Sequence, residues 1–173
     1  YDNTVMATRI SENKNVLLPT MVMMDGFIIS HAMEAMTTLP DDVVKKFVGN
    51  YKPENPLLDI ANPVTIGPLD LFDWYFEHKR QQAQVMIDAK STILKVSREF
   101  GKISGRNYGL FEEYMLDDAE IAIIVIGSTA GTAKKVIKDL RANGIKAGML
   151  KIRVFRPFPA TEIVKAIKGV KAI

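Results

Sequence analysis

The sequence contains no cysteine. Within these residues that excludes disulfides, thiolate nucleophiles and cysteine-ligated zinc or iron–sulfur clusters. Histidine is almost as scarce. His31 and His78 lie far apart and show no ligand spacing, so a self-contained metal site is not expected. No basic block with interleaved aromatics occurs. The 23 Lys and Arg are scattered among 20 Asp and Glu for a net charge of +3, which argues against nucleic-acid binding. So mild a balance is that of an ordinary solvated surface, at most enough to steer an acidic partner. The stretch "NVLLPTMVMMDGF" is broken by Pro19 and Asp25. It is too short to cross a bilayer and lacks signal-peptide flanks. A cytoplasmic protein with no membrane contact is expected.

What is present is apolar: 47% of the 173 residues are hydrophobic, enough for one domain or parts of two. The chain begins at Tyr1 without Met and stops after a fresh apolar start, "VKAI", which reads as part of something longer. Residues 16–29, "VLLPTMVMMDGFII", have the continuous apolar character of a strand buried on both faces, leaving through the turn Asp25-Gly26. A short helix is expected from Ser30 through "SHAMEAM", stopped by Pro40. A second, "VVKKFVG", is expected after Asp41 or Asp42 and before Gly49. Residues 50–70 contain four prolines and read as an ordered, wandering connection too apolar for a disordered linker. Residues 70–100 predict the longest helix, capped by Asp70 and ended by Gly101. Met86, Ala89, Ile93, Val96 and Phe100 form its buried stripe. Phe72, Trp74, Tyr75 and Phe76 load its first turns, and packing against the proline-rich connection is favoured over a cofactor stack.

"KISGRNYGLFEEYMLDD" at 102–118 is a polar, glycine-punctuated bridge, and a domain boundary is placed near Asn107. Beyond it strands and helices alternate. "AEIAIIVIG" reads as a central strand. Helix 130–142 carries Ala133, Val136, Ile137 and Leu140 on one face and stops at Asn143-Gly144. "IKAGMLKIRVF" is the next strand, "PATEIVKAIKG" a helix, and "VKAI" opens another strand. This is the pattern of a parallel sheet with crossover helices.

The strand-to-helix handover "IGSTAGTAKK" poses the main chemical question. A helix N-terminus presents free amides and partial positive charge, so Gly127–Thr132 is a candidate phosphate cradle. The dinucleotide fingerprint G-x-G-x-x-G is absent, since only Gly127 and Gly131 are there. The Walker pattern fails because Thr132 and Ala133 follow Gly131. The expectation is a tight turn with Ser128 or Thr129 as N-cap. Arg153 and Arg156 in "RVFRPFP" end a strand, where open α/β sheets bind ligands. A structural role is favoured, with Arg156 bridging to a neighbouring domain. Asp25, Ser30 and His31 suggest a triad, but such triads are assembled from distant segments and an adjacent Ser-His pair does not face itself easily. A turn residue, a cap and a packed or interface histidine are expected instead. Glu112, Glu113, Asp117 and Asp118 read as a solvated acidic face.

Taken together, "DGFIISH" (25–31), "GRNYGLFEEY" (105–114), "DAEIAIIVIGSTAGT" (118–132) and "GMLKIRVFRPFP" (148–159) resemble the alpha subunit of the 2-oxoacid:ferredoxin oxidoreductases, pyruvate branch, in order and spacing over essentially the whole chain. The resemblance implies a three-layer α/β/α architecture. Residues 1–107 would be the C-terminal part of a thiamin-diphosphate pyrimidine-type domain, and 108–173 the N-terminal part of a transketolase C-terminal-like domain. It implies oxidative decarboxylation of pyruvate with coenzyme A to acetyl-CoA and CO2, with electrons passed to ferredoxin. It also implies thiamin diphosphate, magnesium and iron–sulfur clusters in the complete enzyme. In the family the activating glutamate and the substrate-holding threonine and arginine lie upstream of residue 1, and the magnesium and cluster sites lie on other subunits or later domains. No catalytic, cofactor-binding or metal residue therefore transfers to these positions, and the residues alone are expected to be inactive. Gly127–Thr132 falls in the first turn of the transketolase-like domain, and "GRNYG" and "RVFRPFP" become interface candidates. Three alternatives stay open: another 2-oxoacid (2-oxoglutarate, aromatic or branched-chain), a non-catalytic assembly module, and an unrelated nucleotide-binding protein.

Overall fold

A computed structural model describes residues 1–173, the side chain of Ile28 excepted. The elements run α1 (Asp2–Ser11), α2 (Ile28–His31), α3 (Asp41–Val48), α4 (Tyr75–Ser104), β1 (Phe111–Tyr114), β2 (Ile121–Ile126), α5 (Thr129–Ala142), β3 (Ala147–Ile152) and α6 (Ala160–Ala166). The fold is α/β. Its sheet has three strands in the order β1-β3-β2.

Period-two alternation along β3 distributes its side chains to two layers. Met149 and Ala147 join Val125, Ala130 and Ile137 beneath α5. Leu150 joins Leu116, Ala119 and Ile163 beneath α6. These are the outer layers of the α/β/α arrangement. β2 runs parallel to β3, as a crossover through α5 requires. Two features differ from the sequence reading. β3, not β2, is the central strand: β2 lies beside it, and its far edge carries the isolated parallel bridge Ile121–Ala172 at the start of "VKAI". β1 falls inside the expected polar bridge and pairs antiparallel with β3, so the sheet is mixed. Glu112 and Glu113 hide this strand, because an edge strand keeps polar side chains exposed.

A second core lies between the helices. Met6 and Ile10 of α1, Phe47 of α3, and Ile93, Val96 and Phe100 of α4 pack with Leu110 and Val154. The stripe expected on α4 is thus buried from Ala89 to Phe100, while Met86 is half-buried. The boundaries of α4 shift, however. Asp70 does not cap it: its Oδ2 lies 2.5 Å from His78 Nδ1 and the helix begins at Tyr75. Gly101 does not end it. A Cβ at Gly101 would stand 2.4 Å from Asn107 Oδ1, so glycine serves close packing there. The stop is Gly105, at φ +70°, whose N–H donates to the Gly101 carbonyl at 2.9 Å. α3 matches its expected span, and Gly49 closes it.

The expected strand at 16–29 does not form. Val16 is buried, but Met21 is 82% exposed and Phe27 78%. A strand exists by pairing, and among the described residues no partner strand lies beside this segment. The expected helix from Ser30 shrinks to the single turn α2, with Phe27 at its N-cap position and Ser30 inside it. A helix of one turn has little to offset its nucleation cost. The proline-rich connection is irregular as expected, but Leu58 is 90% exposed and Phe72 fully so. The expected packing of the α4 aromatics against it is therefore not made.

Two glycines make opposite predictions. A Cβ at Gly148 would lie 2.6 Å from the Met115 carbonyl and 2.9 Å from Ala119 Cβ, where backbone cannot yield. Gly148→Ala is expected to destabilise by about 2–3 kcal/mol. Gly131, inside α5, would meet nothing within 4 Å. Gly131→Ala is expected to stabilise by about 0.5–1 kcal/mol. Urea midpoints of the two variants check both signs.

Candidate functional site

The β2–α5 turn is built as a strand-to-helix handover with Ser128 at the N-cap position. Gly127 sits at φ +71°, in the left-handed region that disfavours side chains. The Ser128 side chain makes no cap hydrogen bond to the helix. The anion comes from outside the helix. The carboxylate of Asp25, which lies in the turn of "DGFIISH", accepts a hydrogen bond from the Ser128 N–H. A Cβ at Gly127 would stand 2.6 and 2.7 Å from its two oxygens. Hydrogen bonds from the Ser128 hydroxyl and amide, with Lys151 nearby, hold the Asp25 carboxyl below the usual aspartate value. The position a phosphate would take is filled by the chain's own carboxylate, which would repel a second anion.

The other triad-like residues do not assemble. Ser30 Oγ does reach His31 Nδ1, at 2.7 Å, contrary to the expectation for adjacent residues. That nitrogen also lies 3.0 Å from the Phe27 carbonyl oxygen. Asp25 is committed to Ser128. The acidic stretch forms separate surface contacts: Lys134 Nζ lies 2.5 Å from Glu112, and Arg141 Nη2 lies 2.7 Å from Asp118. Arg141 also donates to the carbonyls of Met115 and Ala147, both at 2.7 Å, stapling the end of α5 to the sheet.

Arg153 is a brace between elements. Its Nε donates to the Gly109 carbonyl at 2.6 Å, Nη1 to Asn3 Oδ1 at 2.9 Å and Nη2 to Ser97 Oγ at 2.9 Å. The Tyr108 ring lies beneath the guanidinium, 5.5 Å away. Burial lowers the pKa of Arg153, and a guanidinium nonetheless stays charged. Beside it, Arg106 grips Asp2 with a bidentate pair at 2.6 and 2.8 Å, and the Tyr108 hydroxyl donates to Asp2 at 2.5 Å. "GRNYG" is thus largely spent inside the chain. Sequence reasoning missed this because the partners Asp2, Asn3 and Ser97 are remote in sequence. Arg156 is exposed, beside the cis peptide Arg156-Pro157.

What remains outward-facing is apolar. Met21, Met23, Met24, Phe27, Met33 and Met36 line one arm, each at least two-thirds exposed. Leu57, Leu58, Ile60, Leu69, Phe72 and Phe76 line a second. Exposed apolar side chains in such number are unusual on a free surface. Two open, shallow depressions lie on the surface: one of about 330 Å³ between α1 and residues 20–22, and one of about 320 Å³ around Arg9 and Tyr51. Among the described residues no group of three or more His, Asp or Glu is placed to hold a metal ion, and no helix is long and apolar enough to cross a membrane.

Comparison with known proteins fits this picture. Residues 1–98 match the family described as pyruvate flavodoxin/ferredoxin oxidoreductase, thiamine diP-bdg. Residues 119–173 match pyruvate:ferredoxin oxidoreductase core domain II. Pyruvate synthase subunit PorA of Thermotoga maritima is 47% identical over 173 residues, covering 100% of this chain and 44% of that protein. The PorA subunit of Methanocaldococcus jannaschii is 40% identical, covering 99% of this chain and 45% of its own length. Ketoisovalerate oxidoreductase subunit VorA of Pyrococcus abyssi is 37% identical, covering 100% of this chain and 44% of its own length. The chain therefore spans a little under half the length of these relatives.

The Asp2 cluster makes a prediction with a sign. The Arg106 hydrogen bonds, joined by that of Tyr108, lower the pKa of Asp2 below its ordinary 3.8. A depressed carboxylate stabilises the fold above its unfolded value and ceases to as pH falls through the folded one. Asp2→Asn is expected to cost about 1–2 kcal/mol at neutral pH. The penalty should shrink below about pH 4, where the wild type loses the same contribution. Urea midpoints of both proteins from pH 7 to pH 2.5 check the convergence.

Proposed function

The chain belongs to the pyruvate flavodoxin/ferredoxin oxidoreductase family, and from that membership we propose that it is part of an enzyme that oxidatively decarboxylates pyruvate. Coenzyme A accepts the acetyl group to give acetyl-CoA and CO2, and the two electrons leave to ferredoxin. The observation that carries this reading is 47% identity to a pyruvate synthase subunit over the full chain. In this reading the protein is cytoplasmic. Residues 1–107 and 108–173 are the adjoining parts of two domains, with the bridge around Asn107 lying between the two matched stretches.

Thiamin diphosphate, when bound, supplies the electron sink that makes decarboxylation of a 2-oxoacid feasible. The β2–α5 turn does not fit its diphosphate. The helix turn that best resembles an anion site is closed by Asp25, and no acidic cluster among the described residues can hold magnesium. The absence of cysteine leaves no thiolate for an iron–sulfur cluster within these residues. In this reading the cofactor, magnesium and clusters are held by the complete enzyme. What this chain contributes is framework: a braced α/β unit whose two apolar arms are covered by other subunits or domains of the complex.

A second reading has its own support. The 37% identity to a ketoisovalerate oxidoreductase subunit favours a branched-chain 2-oxoacid as the alternative substrate. The complete complex, supplied with thiamin diphosphate, magnesium, coenzyme A and ferredoxin, is expected to reduce ferredoxin with pyruvate in preference to ketoisovalerate, by kcat/KM. These residues alone are expected to give no turnover. Preference for ketoisovalerate would establish the second reading. Turnover of no 2-oxoacid by the complete complex would leave a non-catalytic assembly module.

A further inference from the structure

The contact between Asp25 and the β2–α5 turn joins residues 103 positions apart, from the two stretches that match separate domains of the family. Among the described side chains, none from Leu17 to Thr38 is buried. The segment therefore has little packing to fix where it lies. Its one short helix, α2, is satisfied locally: the His31 N–H donates to the Phe27 carbonyl at 2.9 Å, and the Phe27 and His31 rings stack at 5.4 Å. Asp25 supplies the anchor to the sheet unit.

We propose that Asp25 is a positioning residue: its carboxylate, seated on the Ser128 amide and over Gly127, clamps the methionine-rich arm of residues 17–36 to the first turn of α5. Three independent observations support this. The α5 N-terminus carries partial positive charge and a free amide that its own Ser128 side chain leaves unmade. The carboxylate occupies the space a side chain at position 127 would fill, so a Cβ there would displace it, and φ +71° favours glycine. Lys151 of β3 adds a favourable charge, and of the groups around the carboxylate it and Ser128 are the ones that lower its proton affinity. The strained Phe27, at φ +54°, lies two residues on and turns the arm sharply away from the anchor.

The consequence is a division of labour along the arm. Met21, Met23, Met24, Met33 and Met36 flank the anchor on both sides and stay free, as adaptable surface for a partner. Asp25 fixes the centre of that surface against the sheet unit, so the two domain parts present one arrangement to whatever covers them. That last step rests on the assembly reading above. The clamp itself does not, because its test reads no activity.

The test is hydrogen–deuterium exchange by mass spectrometry on the complete protein that carries this chain, comparing wild type with Asp25→Asn, Asp25→Ala and Gly127→Ala. Peptides spanning 17–36 and 127–133 report the two sides of the clamp. Exchange in both is expected to accelerate by about tenfold in Asp25→Ala and Gly127→Ala. Asp25→Asn, which keeps an acceptor without the charge, should fall in between. Peptides of β3 and of the α4 core serve as controls and should not change. Unchanged exchange in both clamp peptides of Asp25→Ala, with a native Tm, overturns the proposal, as does a wild-type arm that already exchanges at the unprotected rate. If Asp25→Ala fails to fold, Asp25→Asn decides alone, since it preserves shape.

Discussion

The ring of Phe100 has no exposed surface, and the helical half of the molecule is arranged around it. Phe47 meets it edge-on at 5.4 Å, Tyr108 lies 6.2 Å away, and the Arg106 guanidinium stands over its face at 5.9 Å. α1, α3, α4 and the loop after α4 all contribute to this one cluster, so none can move without opening it. The next residue, Gly101, admits Asn107 against the helix and lets that loop fold back onto the ring. A side chain there would force the loop outward and with it the Tyr108 and Arg106 contacts.

Two arginines carry this core into the sheet unit. Arg106 ties the loop to α1 through Asp2, and Arg153 ties the end of β3 to α1, α4 and the same loop. Arginine suits both places, because a planar guanidinium offers several donors in fixed directions and tolerates partial burial. The Lys90–Glu162 pair at 2.6 Å adds a link from α4 to α6. The helical core and the sheet unit are thus joined by packing and directed hydrogen bonds. Farther out, along the methionine arm, the contact is polar and solvated.

This distribution bears on function. Many large apolar side chains lie exposed on two arms. Such arms suit the framework role proposed above, because obligate interfaces resemble a hydrophobic core cut in two. The self-filled helix turn agrees: a site whose anion is an internal carboxylate secures the chain to itself.

The sequence alone determined the elements whose information is local. The α4 stripe, the Asn143-Gly144 stop of α5, α3 with Gly49, the α/β class and the family resemblance were all readable, since periodicity and turn chemistry act within a few residues; of the expected α5 face Ile137 is buried, while Val136 is 49% exposed. The absence of a phosphate signature at Gly127–Thr132 was readable too, from glycine spacing. Only the tertiary structure decided what depends on partners distant in sequence. Residues 16–29 read as a strand but have none to pair with, and "FEEY" reads as polar bridge but finds β3. Gly101 reads as a stop but accommodates Asn107. Asp25 reads as a turn residue but supplies the anion for a helix 103 positions later. Pairing, close approach and charge complementarity are properties of pairs of segments. No window on one segment contains them.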